Sequence, residues 1–293
     1  MGVNSKLMEL DLNVWKRGSQ RAVHKPLLLL YALSQYQKGH DRFFSYKEID
    51  EPLKDLLIEF GPYRKSHHPQ YPFWRLQNDG IWELKNHEKA QPRSSNTDAK
   101  KSELLKYNVA GGLTKKEFDN ITSSQDKMAR AIGELLEKFF PETIHDDIVE
   151  KLDIQEYLNK PHKRDPDFRR KVLTAYGYKC AVCGFDCRLG HASIGLEAAH
   201  IKWHQSKGPS TVENGIAMCA LHHKAFDRGV FTITENHTIE VSKYAYGSSE
   251  TQRQIIVRHN NKISLPYDPT QTPSSIFLTW HKKNIFNNSK RDL

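Results

Sequence analysis

The part of the sequence that decides the fold is Cys180-Ala-Val-Cys183, followed further along the chain by Cys219-Ala-Leu-His222. In each stretch, two residues separate a pair of side chains that bind zinc. Zinc prefers four tetrahedral sulfur or nitrogen ligands, and two such pairs around a loop are how structural zinc sites close. The spacing therefore predicts a structural Zn²⁺ held by Cys180, Cys183, Cys219 and His222.

The remaining cysteine, Cys187, has no partner at this spacing, so we leave it outside the zinc site. Four cysteines in 293 residues do not make a disulfide scaffold and favour thiols or metal ligands in a reducing compartment. The longest apolar run, from Pro26 to Leu33, falls far short of the roughly 20 residues that cross a bilayer. The N-terminus carries no apolar stretch of signal-peptide length. We therefore expect a cytoplasmic protein without a membrane partner.

Three further residues stand in and just after the loop between the zinc pairs. His200 ends Leu-Glu-Ala-Ala-His, Asn214 precedes Gly-Ile-Ala-Met-Cys, and His223 opens His-Lys-Ala-Phe-Asp. Together with the zinc pairs, these residues make roughly residues 170–232 resemble the HNH nuclease family, in the zinc-stapled subgroup that includes McrA-like restriction enzymes. The resemblance implies a ββα-metal fold and an endonuclease that hydrolyses phosphodiester bonds in double-stranded DNA. It assigns catalysis to His200 as general base, to His223, and to Asn214, which either pins the loop or completes the metal shell.

The residue types agree with hydrolysis of a phosphodiester. Cleavage needs a base for the attacking water and a cation on the phosphate, and a neutral imidazole accepts a proton at physiological pH. His223 and Asp227 lie four residues apart in a predicted helix, hence on one face, where they could hold one catalytic Mg²⁺ or Mn²⁺. Many family members carry a metal ligand directly before the base, but here that residue is Ala199. Glu197, on the same strand face as Ala199, is a weaker substitute.

Basic side chains surround these positions. Six residues are expected to line the same neighbourhood: Lys202, Trp203, His204, Lys207, Lys224 and Arg228. Contacts of this kind neutralise flanking phosphates and fix the position of DNA without reading its sequence; a solvated basic surface is the alternative. Across the chain, 44 lysines and arginines against 35 acidic residues give a net charge of +9, which favours a polyanionic partner.

The N-terminal part shows helix signals followed by strand signals. Ser45 and Glu48 have the spacing of a capping box, and Pro52 indicates that the regular helix begins near Asp50. Between Tyr71 and Leu84, two aromatic-rich runs flank Asn-Asp-Gly, a strong hairpin signal. The order of elements predicts a helical, winged-helix-like domain with a β-hairpin. With the zinc-stapled ββα-metal (HNH) domain that follows, the expected fold class is α+β.

Three stretches of this part are Arg21-Ala-Val-His-Lys-Pro, Phe60-Gly-Pro62 and His68-Pro-Gln-Tyr-Pro-Phe-Trp-Arg75. Over roughly residues 10–86 they resemble the sulfur-binding domain that precedes HNH modules in restriction enzymes dependent on DNA phosphorothioation. The resemblance implies that the domain binds DNA in which sulfur replaces one non-bridging phosphate oxygen.

Such recognition needs an apolar wall and positive charge. An apolar dent prefers sulfur because oxygen would lose more hydration on entering it, and cations meet the remaining negative charge. We expect the wall from Tyr71 and Pro72 with Phe73 or Trp74, although packing inside the domain is the alternative for both aromatic rings. The full set of residues expected to bind sulfur-marked DNA is Arg21, His24, Lys25, Tyr71, Pro72, Phe73, Trp74 and Arg75.

The sequence thus divides into a recognition domain (1–90), a linker with connecting helices (91–160) and an HNH domain with a C-terminal cap (161–293). The leading interpretation is a restriction endonuclease that recognises phosphorothioated DNA and cuts nearby. The alternatives are an HNH endonuclease that depends on a modified base or on sequence alone, and a DNA-binding regulator with an inactive HNH fold. Because one HNH site cuts one strand at a time, a homodimer is one way to cut both.

Overall fold

The computed structural model describes residues 16–17, 20–21, 23–62, 65–90, 98–154 and 166–286. The chain divides into two compact units, an N-terminal one (1–17 with 21–161) and a C-terminal one (18–20 with 162–293). The further division of the first unit at residue 90 stays a prediction. Among the described residues, no helix is long and apolar enough to span a bilayer.

The first part of the chain is mostly helical. Its elements are β1 (Lys16–Arg17), β2 (Gln20–Arg21), α1 (His24–Gln37), β3 (Phe44–Ser45), α2 (Tyr46–Phe60), α3 (Gln70–Arg75), β4 (Trp82–Lys85), α4 (Lys101–Lys106), β5 (Ala110–Leu113), α5 (Lys115–Thr122), α6 (Gln125–Phe139) and α7 (His145–Leu152).

Helix α1 is the centre of the N-terminal core. Pro26 lies in its first turn, where a missing N–H costs no hydrogen bond. Its leucines from 27 to 30 are fully buried, so the helix is surrounded by other elements rather than lying on the surface. Gly39, with φ +85°, ends the segment in the left-handed region that glycine adopts without strain.

The capping box predicted before α2 is confirmed. The Ser45 hydroxyl accepts from the Glu48 N–H, and the Glu48 carboxylate accepts from the Ser45 N–H at 2.6 Å. The predicted start near Asp50 is wrong, because this cap already fixes the first turn and the helix begins at Tyr46. Pro52 lies inside the helix; it lacks an N–H to donate to the carbonyl four residues earlier, and the helix continues past it.

The hairpin predicted between Tyr71 and Leu84 is wrong. The first aromatic run forms α3 and continues as a 3₁₀ turn over Leu76–Asp79. Gly80 has φ +71°, so it ends this helical segment instead of turning a hairpin. Phe73 and Leu76, three residues apart, are both fully buried, so helical spacing sends their side chains into the core.

The predicted winged-helix-like arrangement is present in a different form. The three-stranded sheet has the order β3-β5-β4 and is antiparallel, with Phe44 opposite Gly111 and Trp82 opposite Leu113. Helices α2 and α3 lie in the chain between β3 and β4, as in a winged helix. Strand β4 pairs with β5, which follows α4, and not with the aromatic run before it, which is helical.

The helices beyond residue 101 add to the same core. On α6 one face is apolar and buried, and it consists of Met128, Ile132, Leu135, Leu136 and Phe139. These residues belong to one cluster with the leucines of α1. Burial of apolar area at about 25 cal/mol per Å² makes this shared core the main stabilising contribution to the first unit.

The second part of the chain has its own core. Its elements are α8 (Pro166–Ala175), β6 (Arg188–Leu189), β7 (Ala192–Ser193), β8 (Leu196–His200), β9 (Gly215–Cys219), α9 (Ala220–Asp227), β10 (Phe231–Ile233), β11 (Ile239–Val241), α10 (Ser249–Gln254) and α11 (Ser275–His281). Helix α11 continues as a π-helical turn over Lys282–Phe286.

A fully buried histidine packs this C-terminal helix against α9. The His281 ring stacks on Phe226 with centroids 3.6 Å apart. Its Nε2–H donates to the Phe226 carbonyl (3.0 Å), and its Nδ1 accepts from the Thr232 hydroxyl (2.8 Å). Burial lowers the pKa of His281 from 6.5 to about 3, so the ring is neutral in the folded protein.

We expect acid to destabilise the C-terminal unit through His281. The unfolded chain binds this proton below pH 6.5 and the folded protein only near pH 3. The free energy of unfolding therefore falls as the pH drops from 6.5 towards 3, by about 2 kcal/mol at pH 5. Denaturant unfolding of the wild type and His281→Gln at pH 7.5 and 5 measures this difference. Glutamine keeps a donor and an acceptor without titrating, so an equal pH dependence in both proteins would contradict the assignment.

Candidate functional site

The predicted zinc ligands come together in the C-terminal unit. One ligand atom from each of Cys180, Cys183, Cys219 and His222 lies within 4.8 Å of all the others. Nδ1 of His222 is 3.0 Å from Sγ of Cys219 and 3.8 Å from Sγ of Cys180. Four sulfur and nitrogen donors at such separations fit a tetrahedral Zn²⁺. Cys187 is exposed and lies outside the cluster.

The surroundings of His222 agree with a role as ligand. Its Nε2–H donates to the carbonyl of Gln254 at 3.0 Å. This hydrogen bond leaves Nδ1 without a proton and directed at the thiols, as metal-binding histidines commonly are. Thiol hydrogen bonds from Cys183 and Cys219 lower the pKa of Cys180, so the cluster stabilises a thiolate, the form of cysteine that binds metal.

Two strands and a helix carry the HNH residues. Strands β8 and β9 pair antiparallel from Leu196 opposite Cys219 to His200 opposite Gly215, and α9 follows β9 directly. Asn214 immediately precedes β9 and is fully buried. The sequence therefore forms the expected ββα arrangement, with the zinc ligand Cys219 at the junction of β9 and α9.

The candidate base, His200, is held on two sides. Its ring stacks on Phe168 of α8, with centroids 3.8 Å apart and planes 15° from parallel. Its Nε2 lies 3.4 Å from the Ser210 hydroxyl. The stack covers one face of the imidazole, so the ring can act only through its edge. Sequence reasoning missed Phe168 and Ser210, because neither residue has a motif spacing that would indicate contact with His200.

The Asn214 side chain fixes the loop that follows His200. Its Oδ1 accepts from the Lys202 N–H at 2.8 Å. Its Nδ2 donates to the carbonyls of Lys202 (2.9 Å) and Pro209 (2.8 Å). All three contacts are to backbone, so this amide pins the loop, which is one of the two roles expected for it.

His223 lies between two carboxylates. Its Nδ1 is 2.7 Å from Oε2 of Glu197 on β8, and its Nε2 is 3.3 Å from Oδ2 of Asp227. Nδ1–H donating to Glu197 leaves Nε2 able to bind a cation together with Asp227. Two neighbouring ligands at about 2.1 Å from one octahedral cation lie about 3 Å apart, close to the distance found. An imidazole nitrogen and a carboxylate oxygen are donors that Mn²⁺ and Mg²⁺ accept.

Glu197 therefore reaches the site, although Ala199 offers no ligand. The Ala199 side chain is fully buried, while Glu197 contacts His223 from the same strand. In this position Glu197 orients the histidine, whereas the sequence interpretation made it a substitute ligand. The two-residue alternation along a strand was the signal that pointed to Glu197.

Two of the charged residues expected to bind sulfur-marked DNA, Lys25 and Arg75, are held by acids in the N-terminal unit. Lys25 forms an ion pair with Asp79 at 2.7 Å, and the side chain of Asp79 is fully buried. Arg75 binds Asp98 through Nε at 2.7 Å and through a second nitrogen. These hydrogen bonds raise the pKa of Arg75. The Arg75 side chain stays 45% exposed, so one edge of the guanidinium remains available to a phosphate.

The aromatic candidates divide into surface and core. Tyr71 is half-buried, with the Arg75 guanidinium 4.9 Å from its ring centre. Trp74 is also half-buried. Phe73 is instead fully buried in the core. Its ring lies edge-on to that of Tyr46, with centroids 5.1 Å apart. The expectation that Phe73 contacts DNA is therefore wrong, because α3 turns it inward.

The other candidates are less informative. Pro72 is buried on α3, and His24 is half-buried at the first position of α1. Arg21 lies in β2, and its side chain is outside the described part of the chain. The structure thus brings Lys25 close to the end of α3 through Asp79 and places Tyr71, Trp74 and Arg75 on that helix.

Two family profiles match the chain. The profile described as "ScoMcrA-like, DNA sulfur-binding domain" matches residues 5–157, and the profile described as "HNH endonuclease" matches residues 180–234. Both resemblances seen in the sequence are confirmed. The first match extends well beyond residue 86, where the resemblance in the sequence ends.

Several solved structures are similar to parts of the chain. The sulfur-binding domain of ScoMcrA complexed with phosphorothioated DNA is 20% identical, with a TM-score of 0.47 over 54% of this chain and 99% of that one. The corresponding SprMcrA domain is 22% identical, with a TM-score of 0.44 over 51% and 92%. The type IV phosphorothioation-dependent restriction endonuclease ScoMcrA is 19% identical, with a TM-score of 0.45 over 55% and 36%. No curated protein matches the chain.

We expect the zinc cluster to be required for folding of the C-terminal unit. Cys183→Ser removes one of four ligands, so zinc content should fall well below one ion per chain and the unit should unfold at a lower temperature. Elemental analysis and thermal unfolding measure both effects. Cys187→Ser is the matched control, because this exposed cysteine is not in the cluster. Equal zinc loss in both variants, or in neither, would contradict the assignment.

Proposed function

The chain belongs to the family of the ScoMcrA-like DNA sulfur-binding domain, and on this premise we propose that it is a phosphorothioate-dependent DNA endonuclease. The N-terminal unit binds DNA that carries sulfur in place of one non-bridging phosphate oxygen. The C-terminal unit hydrolyses a phosphodiester bond nearby. The strongest support is that one chain matches both the sulfur-binding family and an HNH segment. In that segment, His200, Asn214 and His223 lie on or next to the elements of a ββα unit.

Recognition of sulfur follows from the surface of α3. Sulfur is larger and less strongly hydrated than oxygen, so it loses less hydration beside the half-buried rings of Tyr71 and Trp74. The Arg75 guanidinium is already oriented by Asp98 and the Tyr71 ring. Binding a phosphate therefore costs little ordering of this side chain. Lys25, held by Asp79, adds positive charge close to the same helix.

Hydrolysis follows from the ββα unit. His200, with its ring fixed by Phe168 and Ser210, accepts a proton from the attacking water. His223 and Asp227 would hold the divalent cation, which when bound stabilises the negative charge that develops on the phosphate. Glu197 keeps His223 in the tautomer whose Nε2 faces Asp227. Basic side chains on the same segment, such as Lys202 and Lys224, neutralise flanking phosphates.

The net charge of +9 contributes binding that does not depend on the mark. Each phosphate that a lysine or arginine neutralises releases condensed counterions, so this part of the affinity weakens as salt increases. Contact with the sulfur is short-range and involves no additional charge. Discrimination between marked and unmarked DNA should therefore persist at salt concentrations that weaken binding to both.

A plasmid cleavage assay tests the proposal. With Mg²⁺ or Mn²⁺, the wild type should cut phosphorothioated plasmid and leave the matched unmodified plasmid intact. His200→Ala should cut at least about 100-fold more slowly, because a general base contributes factors of this size. His191→Ala is the matched control, since this exposed histidine belongs to no candidate site, and it should cut like the wild type.

The other outcomes identify the alternatives. Equal cutting of both plasmids would remove the dependence on sulfur and leave an HNH nuclease. Tight binding without cutting under either metal would indicate a DNA-binding regulator, with Ala199 as the first residue to examine. Full activity of His200→Ala would contradict its assignment as the base.

A further inference from the structure

A tryptophan connects the loop after His200 to the end of α9. The indole Nε1–H of Trp203 donates to Oδ1 of Asp227 at 2.9 Å. The Asp227 side chain is only 4% exposed. The sequence interpretation placed Trp203 among residues that line the DNA, and a hydrogen bond to a buried carboxylate is a different role.

This hydrogen bond determines how the Asp227 carboxylate is oriented. One oxygen, Oδ1, accepts from Trp203, and the other, Oδ2, lies 3.3 Å from Nε2 of His223. Rotation of the carboxylate would break this part-buried hydrogen bond to the indole, which is costly for an oxygen of a buried carboxylate. The arrangement therefore presents a single oxygen, Oδ2, next to the histidine nitrogen.

Trp203 is itself held in place. Its carbonyl accepts from the N–H groups of Ser206 (2.9 Å) and Gly208 (3.0 Å). The preceding residue, Lys202, is bound through both its N–H and its carbonyl by Asn214. The indole lies against Trp280, with ring centroids 5.9 Å apart and planes at 64°. Backbone and ring are thus both fixed before any cation binds.

We infer that Trp203 is a positioning residue for the candidate cation site. It holds Asp227 as a ligand through one oxygen and couples the His200 loop to α9. Since His200 lies on β8 and the cation pair on α9, this bond links the base to the cation. The inference rests on the proposed function for the identity of the site, whereas the Trp203–Asp227 contact is a property of the fold.

The experiment measures Mn²⁺ binding to the full-length, zinc-loaded protein by calorimetry without DNA. Trp203→Phe keeps an aromatic ring against Trp280 but lacks the N–H donor. We expect it to bind Mn²⁺ about tenfold more weakly, as is usual when a group that orients a ligand is lost. Trp82→Phe is the matched control. The Trp82 indole nitrogen has no hydrogen-bond partner among the described residues, and Trp82 belongs to the other unit, so the Mn²⁺ affinity of this variant should equal that of the wild type.

A double-mutant cycle separates positioning from general damage. If Trp203 acts through Asp227, Trp203→Phe causes no further loss of Mn²⁺ affinity in an Asp227→Asn background. Independent, additive losses would overturn the inference. So would wild-type affinity in Trp203→Phe, and in that case the proposed function would stand. Absence of Mn²⁺ binding in the wild type would overturn both.

A second measurement does not require the Trp203 variant to fold well. In ¹⁵N spectra, the indole N–H resonance of Trp203 should move when Asp227→Asn replaces its charged acceptor. The resonance of Trp280 should move much less, because Trp280 makes no bond to Asp227. If neither resonance moves, the indole does not donate to Asp227 in solution and the inference fails.

Discussion

The C-terminal unit depends on one constraint, the convergence of three cysteine sulfurs and one histidine nitrogen on a single point. The β8–β9 hairpin has five residues in each strand, and α9 has eight, so neither the hairpin nor the helix is long enough to be stable alone. The cluster ties their junction to the Cys180–Cys183 turn. Because His222 is next to His223 in α9, holding one imidazole fixes the rotation of the helix. That rotation turns Nδ1 of His223 towards Glu197 and leaves Nε2 facing Asp227.

From this constraint, a series of contacts orients each reacting group. Glu197 fixes the tautomer of His223, and Trp203 fixes the carboxylate of Asp227. Phe168 and Ser210 hold the His200 ring, while Asn214 binds the backbone of the loop that follows His200. Each group that would act on the phosphate thus has its own orienting neighbour. Preorganisation of this kind removes ordering costs from the reaction itself.

The sequence predicted the elements whose signals are local. The zinc-ligand pairs and the capping box at Ser45 each depend on residues close together in the chain. The His200, Asn214 and His223 set was found through the resemblance of its sequence context to the HNH family, and these residues lie on or next to β8, β9 and α9.

Sequence predictions were wrong or incomplete where contacts between residues far apart in the chain decide the local structure. Asn-Asp-Gly after Tyr71–Leu76 is as compatible with a helix end at Gly80 as with a hairpin, and burial of Phe73 against Tyr46 favours the helix. The ion pairs of Lys25 with Asp79 and Arg75 with Asp98 join residues far apart in sequence. No periodicity reports such pairs. The contact of Trp203 with Asp227 was missed for the same reason.

The proposed ability of the N-terminal unit to distinguish sulfur from oxygen in DNA is measured most directly by the affinity of the His200→Ala protein for two duplexes. The duplexes have the same sequence and differ in one atom, a non-bridging sulfur or oxygen. We expect tighter binding to the sulfur duplex by about tenfold, equivalent to about 1.4 kcal/mol. We also expect Tyr71→Ala to reduce this ratio, whereas Tyr246→Ala, at an exposed tyrosine of the other unit, should not. Equal affinity for the two duplexes would show that the N-terminal unit does not recognise sulfur.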